Sequence, residues 1–275
     1  MMNGLRYVPV NGTRIAYLDV GTGEPVVFVH GAISDSRFWA PQVAALSHRY
    51  RCIALDQRYF GQSWPDAGQQ LSLSMHADDL CHFLGAVASG PVHVVATSYG
   101  AAVALAGAVA SPNQFGSLFL NEPSLASLVT EIEDIAVLSQ ARRALTPAAA
   151  ALAAKDLATA VELFCDWTAF PGAFSFISEE FKVMFHQNAR SLALQLAAPP
   201  PAVTAAQIAQ LNMPVVFTVG EKTTPFFAVQ VRAAHRAIAH SNLISIPGAH
   251  HGASFENPTA FNEALIAHLV QVTGA

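Results

Sequence analysis

The sequence predicts a doubly wound α/β fold, in which a mostly parallel sheet carries helices on both faces. Its apolar runs, such as Val26–Val29, lack polar alternation, which is typical of strands buried on both faces of a parallel sheet. Helix-like segments alternate with these runs, as in repeated strand–helix–strand units. A third observation is that residues 123–201 break this rhythm and show no strand pattern.

The individual elements follow from the same patterns. The predicted strands are Arg14–Val20, Pro25–His30, Tyr50–Asp56, Val92–Thr97, Ser117–Asn121, Val215–Gly220 and Ile244–Pro247. The predicted helices are Phe38–Ser47, Leu73–Ala88, Tyr99–Ala110, Pro225–His240 and Pro258–Val272.

The interrupting segment is Ala-rich, so helix propensity is high, and it carries several aromatic side chains. We interpret residues 123–201 as a helical cap (lid) inserted over the carboxyl edge of the sheet. Residues 1–122 and 202–275 then form one core domain. A stiff linker, Pro199-Pro200-Pro201, closes the insertion.

Composition limits the partners. The chain of 275 residues suits one large domain with a lid. It is 52% hydrophobic and only 12% charged, so a large core and an apolar cavity are both feasible. The net charge is −5 and no basic cluster is present, which argues against nucleic acid as a partner.

The sequence favours a cytoplasmic location without membrane attachment. Met1–Val10 lacks the basic-then-apolar pattern of a secretory signal, and the longest apolar run, Ala101–Ala110, is too short to span a bilayer. The cysteines at 52, 81 and 165 are odd in number and widely spaced, as expected of buried thiols in a reducing compartment. No zinc or nicotinamide motif is present, so we expect no metal and no cofactor.

The strongest candidate for chemistry is Ser98. The sequence Ala96-Thr97-Ser98-Tyr99-Gly100 follows a buried strand and precedes a helix, so a sharp turn would project the serine from the sheet edge. The helix N-terminus behind it would favour developing negative charge. The alternative is an ordinary serine N-cap.

A second turn, His30-Gly31-Ala32, follows another buried strand. We expect the backbone N–H groups of Ala32 and Tyr99 to form an oxyanion hole. His30 itself is expected to be structural, and the turn could be no more than a tight connection.

A base is predicted on the loop after the last strand, where His250 and His251 are adjacent. The spacing to Glu256 and Pro258 favours His251, while His250 stands where a glycine is usual. Either residue could also be an ordinary loop histidine.

Together these motifs, in this order, resemble the α/β-hydrolase family over nearly the whole chain outside the cap. Asp56-Gln57-Arg58-Tyr59-Phe60-Gly61-Gln62-Ser63 is similar to the family loop Asp-x-Arg-Gly-x-Gly-x-Ser, with Tyr59 in place of a glycine. The resemblance implies that Asp56 and Arg58 are structural. Haloalkane dehalogenases and epoxide hydrolases of this family use an aspartate nucleophile, which Ser98 does not match.

The acid of the triad departs from the common family pattern. Val219-Gly220-Glu221-Lys222-Thr223-Thr224-Pro225 has threonine where that pattern has aspartate, and threonine cannot stabilise an imidazolium as a carboxylate does. Glu122 instead ends the strand before the cap. Many haloalkane dehalogenases and the fungal zearalenone lactonases place their acid there. The chain resembles the zearalenone lactonases more closely than these motifs alone require. Glu122 is therefore assigned as the acid, with Glu221 as the alternative.

The resemblance implies a serine hydrolase that cleaves a carboxylic ester or lactone through an acyl-enzyme. The aromatic cap suggests an apolar substrate group, with Ile33, Trp167, Phe170 and Phe226 as binding residues, although the cap aromatics could simply pack together. Alternatives are a carbon–carbon bond hydrolase, a cofactor-free dioxygenase and a non-catalytic ligand receptor. An exposed apolar patch could support a homodimer, but the sequence does not locate one.

Overall fold

An eight-stranded sheet forms the centre of the molecule, in a computed structural model that describes residues 4–65, 70–199 and 203–274. The strands are β1 (Arg6–Val10), β2 (Thr13–Val20), β3 (Pro25–Val29), β4 (Arg51–Leu55), β5 (Val92–Thr97), β6 (Phe115–Asn121), β7 (Val215–Gly220) and β8 (Asn242–Ile246). The α-helices are α1 (Ala40–Leu46), α2 (Leu73–Val87), α3 (Ser98–Ala110), α4 (Ile132–Ala144), α5 (Thr146–Ala153), α6 (Leu157–Thr168), α7 (Glu179–Gln187), α8 (Ala189–Leu196), α9 (Ala205–Ile208), α10 (Pro225–Ala237), α11 (Ala253–Glu256) and α12 (Pro258–Thr273).

The sheet is mostly parallel, as predicted. Its order is β1-β2-β4-β3-β5-β6-β7-β8, in which β3 to β8 run parallel while β1 and β2 pair antiparallel at one edge. Strands β5 and β7 have the predicted bounds. The sequence pattern does not predict β1, because this edge strand is mostly exposed and lacks a continuous apolar run.

Helices cover both faces of the sheet, and the core is accordingly divided into two clusters. One cluster joins the sheet to α2, α3 and α10, and the other joins it to α1 and α12. Helix α3 lies close against the strands because its buried positions are mainly alanine and glycine. The predicted doubly wound α/β architecture is confirmed.

Helices α4 to α9 lie between β6 and β7, and the described part of this segment contains no strand. Asn188, which is 2% exposed, ties the segment to the loops after β3 and β4. Its Nδ2 donates to Asp35 Oδ2 (2.7 Å), and its Oδ1 accepts from the Gly61 N–H (2.8 Å). Most of the predicted proline linker, at residues 200 and 201, and the predicted boundary between 201 and 202 lie outside the described residues.

Two observations bear on the predicted surroundings of the protein. None of the described helices combines the length and apolar character that a bilayer crossing requires. Cys52, Cys81 and Cys165 are free and buried. The cytoplasmic location stays a prediction.

Candidate active site

The carboxyl ends of the parallel strands meet at one edge of the sheet, and the candidate residues follow those ends. Ala32 follows β3, Ser98 follows β5 directly, Glu122 follows β6 directly, and His251 lies on the loop after β8. In open α/β sheets, ligands bind outside this edge. Four separate segments therefore supply the site.

Ser98 occupies a strained backbone conformation. Its φ is +54°, in the left-handed region that L-residues rarely adopt, and it is the first residue of α3. The turn brings α3 very close to the end of β3, since a Cβ at Gly100 would lie 2.2 Å from the His30 carbonyl oxygen. Glycine at position 100 is thus required by the same geometry that projects Ser98 from the edge.

Among the described residues, the Ser98 hydroxyl has a hydrogen bond to Ser124 and none to His251. Its Oγ lies 3.3 Å from Ser124 Oγ, and the Ser124 N–H donates to the Ser98 carbonyl (3.2 Å). Ser98 and His251 nevertheless line the same cavity.

Glu122 is fully buried and also has a positive φ, +44°. Its Oε1 accepts from the Gly220 N–H (2.8 Å), and its Oε2 accepts from the Thr223 hydroxyl (2.9 Å). The same Oε2 lies 2.5 Å from His251 Nδ1. Donors on three segments therefore surround this carboxylate, as a buried charge requires.

Thr223 explains the departure from the family pattern. It belongs to the loop after β7, where the common pattern has aspartate, and its hydroxyl now donates to the carboxylate of Glu122. The alternative acid, Glu221, turns away and accepts from the Gly248 N–H (2.6 Å). The structure brings Glu122, and not Glu221, to His251.

His251 is held on two sides. An ionised carboxylate only accepts hydrogen bonds, so Nδ1 donates to Glu122 and Nε2 carries the lone pair. The Phe227 ring stacks on the imidazole, with a centroid separation of 3.5 Å and an interplanar angle of 9°. Within the described residues, no group hydrogen-bonds Nε2, which leaves it available as a base.

The candidate oxyanion hole lies beside the serine. Ala32 lines the cavity next to Gly31 and Ser98, and the following residue, Ile33, has a φ of +47°, a costly conformation for a β-branched side chain. Tyr99 is the second residue of α3, so its N–H has no acceptor within the helix.

Buried histidines contact the two turns that carry Ala32 and Tyr99. The Tyr99 hydroxyl lies 2.8 Å from His76 Nδ1, and His30 Nε2 accepts from the Gln57 N–H (3.0 Å). These contacts give His30 the structural role expected of it.

The cavity at this edge has a volume of about 530 Å³ and mostly apolar walls. Seven phenylalanines from the core and from the helical segment line it, namely Phe38, Phe164, Phe170, Phe176, Phe181, Phe185 and Phe255. The predicted binding residues Ile33 and Phe170 are among its lining residues. Most of the other phenylalanines were not distinguished by sequence, because periodicity does not reveal which face of a short helix meets a cavity.

Trp167 and Phe226, also predicted to bind substrate, are not among the described residues that line this cavity. The Trp167 indole N–H donates to the Ala141 carbonyl (2.8 Å), which turns the ring toward α10. There it packs against Phe226 (centroids 4.8 Å apart) and Phe227. Both residues therefore pack around Phe227, whose ring stacks on His251, and do not line the cavity.

The site contains no evident metal ligands. Within the described ranges, no three His, Cys, Asp or Glu side chains are grouped so that they could hold a metal ion. The His251–Glu122 pair instead has the arrangement of an oriented general base.

Comparison with known proteins is decisive for the family. The model of the Alpha/beta hydrolase family matches residues 26–264. The chain belongs to the Alpha/beta hydrolase family. The predicted fold class and the predicted α/β-hydrolase enzyme are thereby confirmed, whereas the resemblance to zearalenone lactonases stays a prediction.

Several relatives of this α/β-hydrolase are known. A thermophilic esterase from Thermogutta terrifontis has a TM-score of 0.73 at 22% identity, covering 98% of this chain and 99% of that chain. The enol-lactonase from Burkholderia xenovorans LB400 has a TM-score of 0.74 at 19% identity, covering 96% and 100%. Such distant likenesses show the shared fold.

Sequence relatives match over shorter stretches. The (E)-2-((N-methylformamido)methylene)succinate hydrolase from Acinetobacter baylyi is 29% identical over 103 residues, 38% of this chain and 39% of that protein. The match spans about two fifths of the length of the first curated relatives. Activity is therefore argued below from the site.

Several buried groups of the α/β-hydrolase have displaced pKa values. Burial lowers the pKa of His30, His76 and His268 to about 4. Burial, together with the nearby Asp35 carboxylate, raises the pKa of Asp56 to about 6. These shifts have opposite consequences for stability as the pH falls.

We predict that the free energy of unfolding decreases as the pH falls from 6.5 to about 4. In that range the unfolded state binds protons on the three histidines while the folded state excludes them, a loss on the order of 3 kcal/mol for each histidine. Asp56 opposes this trend, because its folded carboxyl binds a proton at a higher pH than the unfolded one. It is one group against four, since burial also lowers the pKa of His93.

Urea denaturation at half-unit pH intervals measures this dependence. His268→Asn removes one of the three groups and should reduce the slope by about one proton. A stability that stays level or rises between pH 6.5 and 4.5 would contradict the assignment of these histidines as neutral and buried.

Proposed function

We propose that this α/β-hydrolase cleaves a carboxylic ester or lactone with an apolar or aromatic group through a Ser98–His251–Glu122 triad. The observation that carries the proposal is the 2.5 Å contact between His251 Nδ1 and the buried Glu122 carboxylate. It leaves the other imidazole nitrogen free in the cavity that Ser98 also lines. A base, its orienting carboxylate and a hydroxyl on a strained turn are the parts that acyl transfer needs.

In the proposed reaction, the Ser98 hydroxyl rotates from Ser124 toward His251 when substrate binds. His251 Nε2 takes the hydroxyl proton as Oγ attacks the carbonyl carbon, and the carbonyl oxygen becomes an oxyanion. The N–H groups of Ala32 and Tyr99 stabilise that oxyanion, each by roughly 3 kcal/mol in the transition state.

The intermediate then collapses. The carbon–oxygen bond of the ester breaks, and His251 returns its proton to the departing alkoxide, which leaves as the alcohol. In a lactone this alcohol stays tethered to the acyl group. Water, deprotonated by the same histidine, attacks the acyl-enzyme and releases the acid and the Ser98 hydroxyl.

Glu122 stabilises the imidazolium that forms in both halves of the reaction. Its burial places this negative charge in a medium of low dielectric, where attraction to the imidazolium is strong. The Gly220 N–H and the Thr223 hydroxyl hold the carboxylate in position before the charge on His251 appears.

The cavity supports an apolar substrate of moderate size. Its volume lies within the range of ordinary small-molecule sites, and its largely apolar walls include seven phenylalanines. The fold is shared with an esterase and an enol-lactonase, which fits the proposed reaction.

Replacement of the nucleophile tests the function directly. Ser98→Ala should abolish hydrolysis of 4-nitrophenyl esters, because no other hydroxyl in the proposal attacks the carbonyl. Ser124→Ala is the matched control. It removes the neighbouring hydroxyl and should retain most of the activity.

Circular dichroism and thermal unfolding establish that both variants fold. Turnover retained by Ser98→Ala would remove this serine from the mechanism. Cleavage of a carbon–carbon bond in a vinylogous diketone, with no ester turnover, would favour the carbon–carbon bond hydrolase instead.

The identity of the acid is tested by two isosteric substitutions. Glu122→Gln should lower kcat by about 10³- to 10⁴-fold, since an amide neither stabilises the imidazolium nor enforces its tautomer. Glu221→Gln should change kcat by no more than about twofold, because the amide oxygen can still accept from Gly248. The opposite result would assign the acid to Glu221.

The role of the loop after β7, which has threonine where the family pattern has aspartate, is tested by substitutions at two adjacent threonines. Thr223→Val removes a donor to Glu122 and should lower kcat/KM by about tenfold, the effect of one hydrogen bond to a charged group. Thr224→Val should be nearly neutral, because the buried Thr224 hydroxyl has no partner among the described residues. Equal losses in ester hydrolysis for the two variants would show that the Thr223 hydroxyl has no special role.

A further inference from the structure

A second histidine–carboxylate pair lies in the wall of the same cavity. His250 Nδ1 is 3.0 Å from Glu256 Oε2, and both residues line the cavity. Their side chains are 20% and 24% exposed, so solvent or a ligand can reach them. This pair has no role in the mechanism proposed above.

The pair is more than a support for the loop. Glu256 also accepts from the backbone N–H groups of His250 (2.8 Å) and Gly252 (3.0 Å), so its carboxylate anchors the loop without the imidazole. In the family pattern described above, a glycine is usual at position 250. The imidazole is thus an addition to a loop that is held by other contacts.

The Nε2 atom of His250 is the nitrogen that the pairing with Glu256 leaves free. Since Glu256 accepts from Nδ1, the remaining nitrogen, Nε2, can bind a further group. Within the described part of the chain, Nε2 has no hydrogen-bond partner. The ring packs against Phe170, with centroids 4.8 Å apart, so the imidazole lies beside an aromatic side chain of the cavity wall.

Three other polar side chains of the cavity already have hydrogen-bond partners. The hydroxyls of Ser34 and Thr168 donate to the carbonyls of Gly31 and Cys165. Ser178 caps α7 by accepting from the Phe181 N–H. His250 is therefore a partly exposed polar group in the wall of a largely apolar cavity.

We infer that His250 Nε2 binds a hydroxyl group on the substrate, so that the preferred ester or lactone carries a hydroxyl on an apolar, ring-containing body. A hydroxyl both donates and accepts, so it pairs with this nitrogen in either protonation state. This inference rests on the proposed function and adds a substrate class to it.

The test uses a matched set of 4-nitrophenyl esters. Phenylacetate esters with a hydroxyl at the ortho, meta or para position are compared with the corresponding methoxy esters. The readout is the ratio of kcat/KM for each hydroxy ester to that for its methyl ether, because the ratio cancels any general change in activity.

In the unaltered enzyme, at least one hydroxy isomer should exceed its methyl ether by roughly three- to tenfold, the effect of one neutral hydrogen bond. In His250→Ala that ratio should fall to about one, and His250→Gln, which retains an accepting and donating amide, should restore part of it. The control is His186→Ala, a histidine that contacts Phe174 outside the described cavity lining, which should keep the full ratio.

The possible failures are distinguishable. Hydrolysis of the esters with ratios near one in the unaltered enzyme, or with ratios unchanged in His250→Ala, would overturn the role of His250 and leave the hydrolase function intact. A complete lack of hydrolysis across the set would overturn the proposed function and this inference with it.

Discussion

The buried carboxylate of Glu122 is the interaction on which the arrangement of the site depends. A charge with no solvent contact is stable only if donors surround it, and here they come from β7, from the loop after β7 and from the loop after β8. Those segments must therefore converge on the end of β6. The same convergence orients His251 and directs its free nitrogen into the cavity.

Backbone strain at the sheet edge is the second feature that the site requires. Ile33, Ser98 and Glu122 all have positive φ values, although none is glycine. Tight packing of neighbouring segments offsets such strain, and two glycines make that packing possible. A Cβ at Gly100 would collide with the carbonyl of His30, and a Cβ at Gly220 would lie 2.1 Å from that of His250. The elements that carry Ser98, Glu122 and His251 are thus held by close backbone contacts.

Two histidine–carboxylate pairs lie at the cavity, and their environments differ. The His251–Glu122 pair is closed to solvent on the carboxylate side and is stacked on Phe227, as a base that must cycle through an imidazolium requires. The His250–Glu256 pair is partly open and lies among aromatic side chains, as a recognition group requires. Adjacent residues in the chain therefore differ in environment, and environment decides what each imidazole can do.

The sequence by itself determined the strands of the parallel sheet, the turn that carries Ser98 and the family, because apolar runs and short glycine-bearing motifs are local features. Glu122 was indicated by its place at the end of a strand and by the resemblance to family members that carry their acid there. Tertiary structure alone decided that Thr223 and Gly220 hold that carboxylate, because these contacts join residues about a hundred positions apart. It alone directed Trp167 and Phe226 away from the cavity and His250 into its wall, since the face that a side chain presents depends on packing between distant segments.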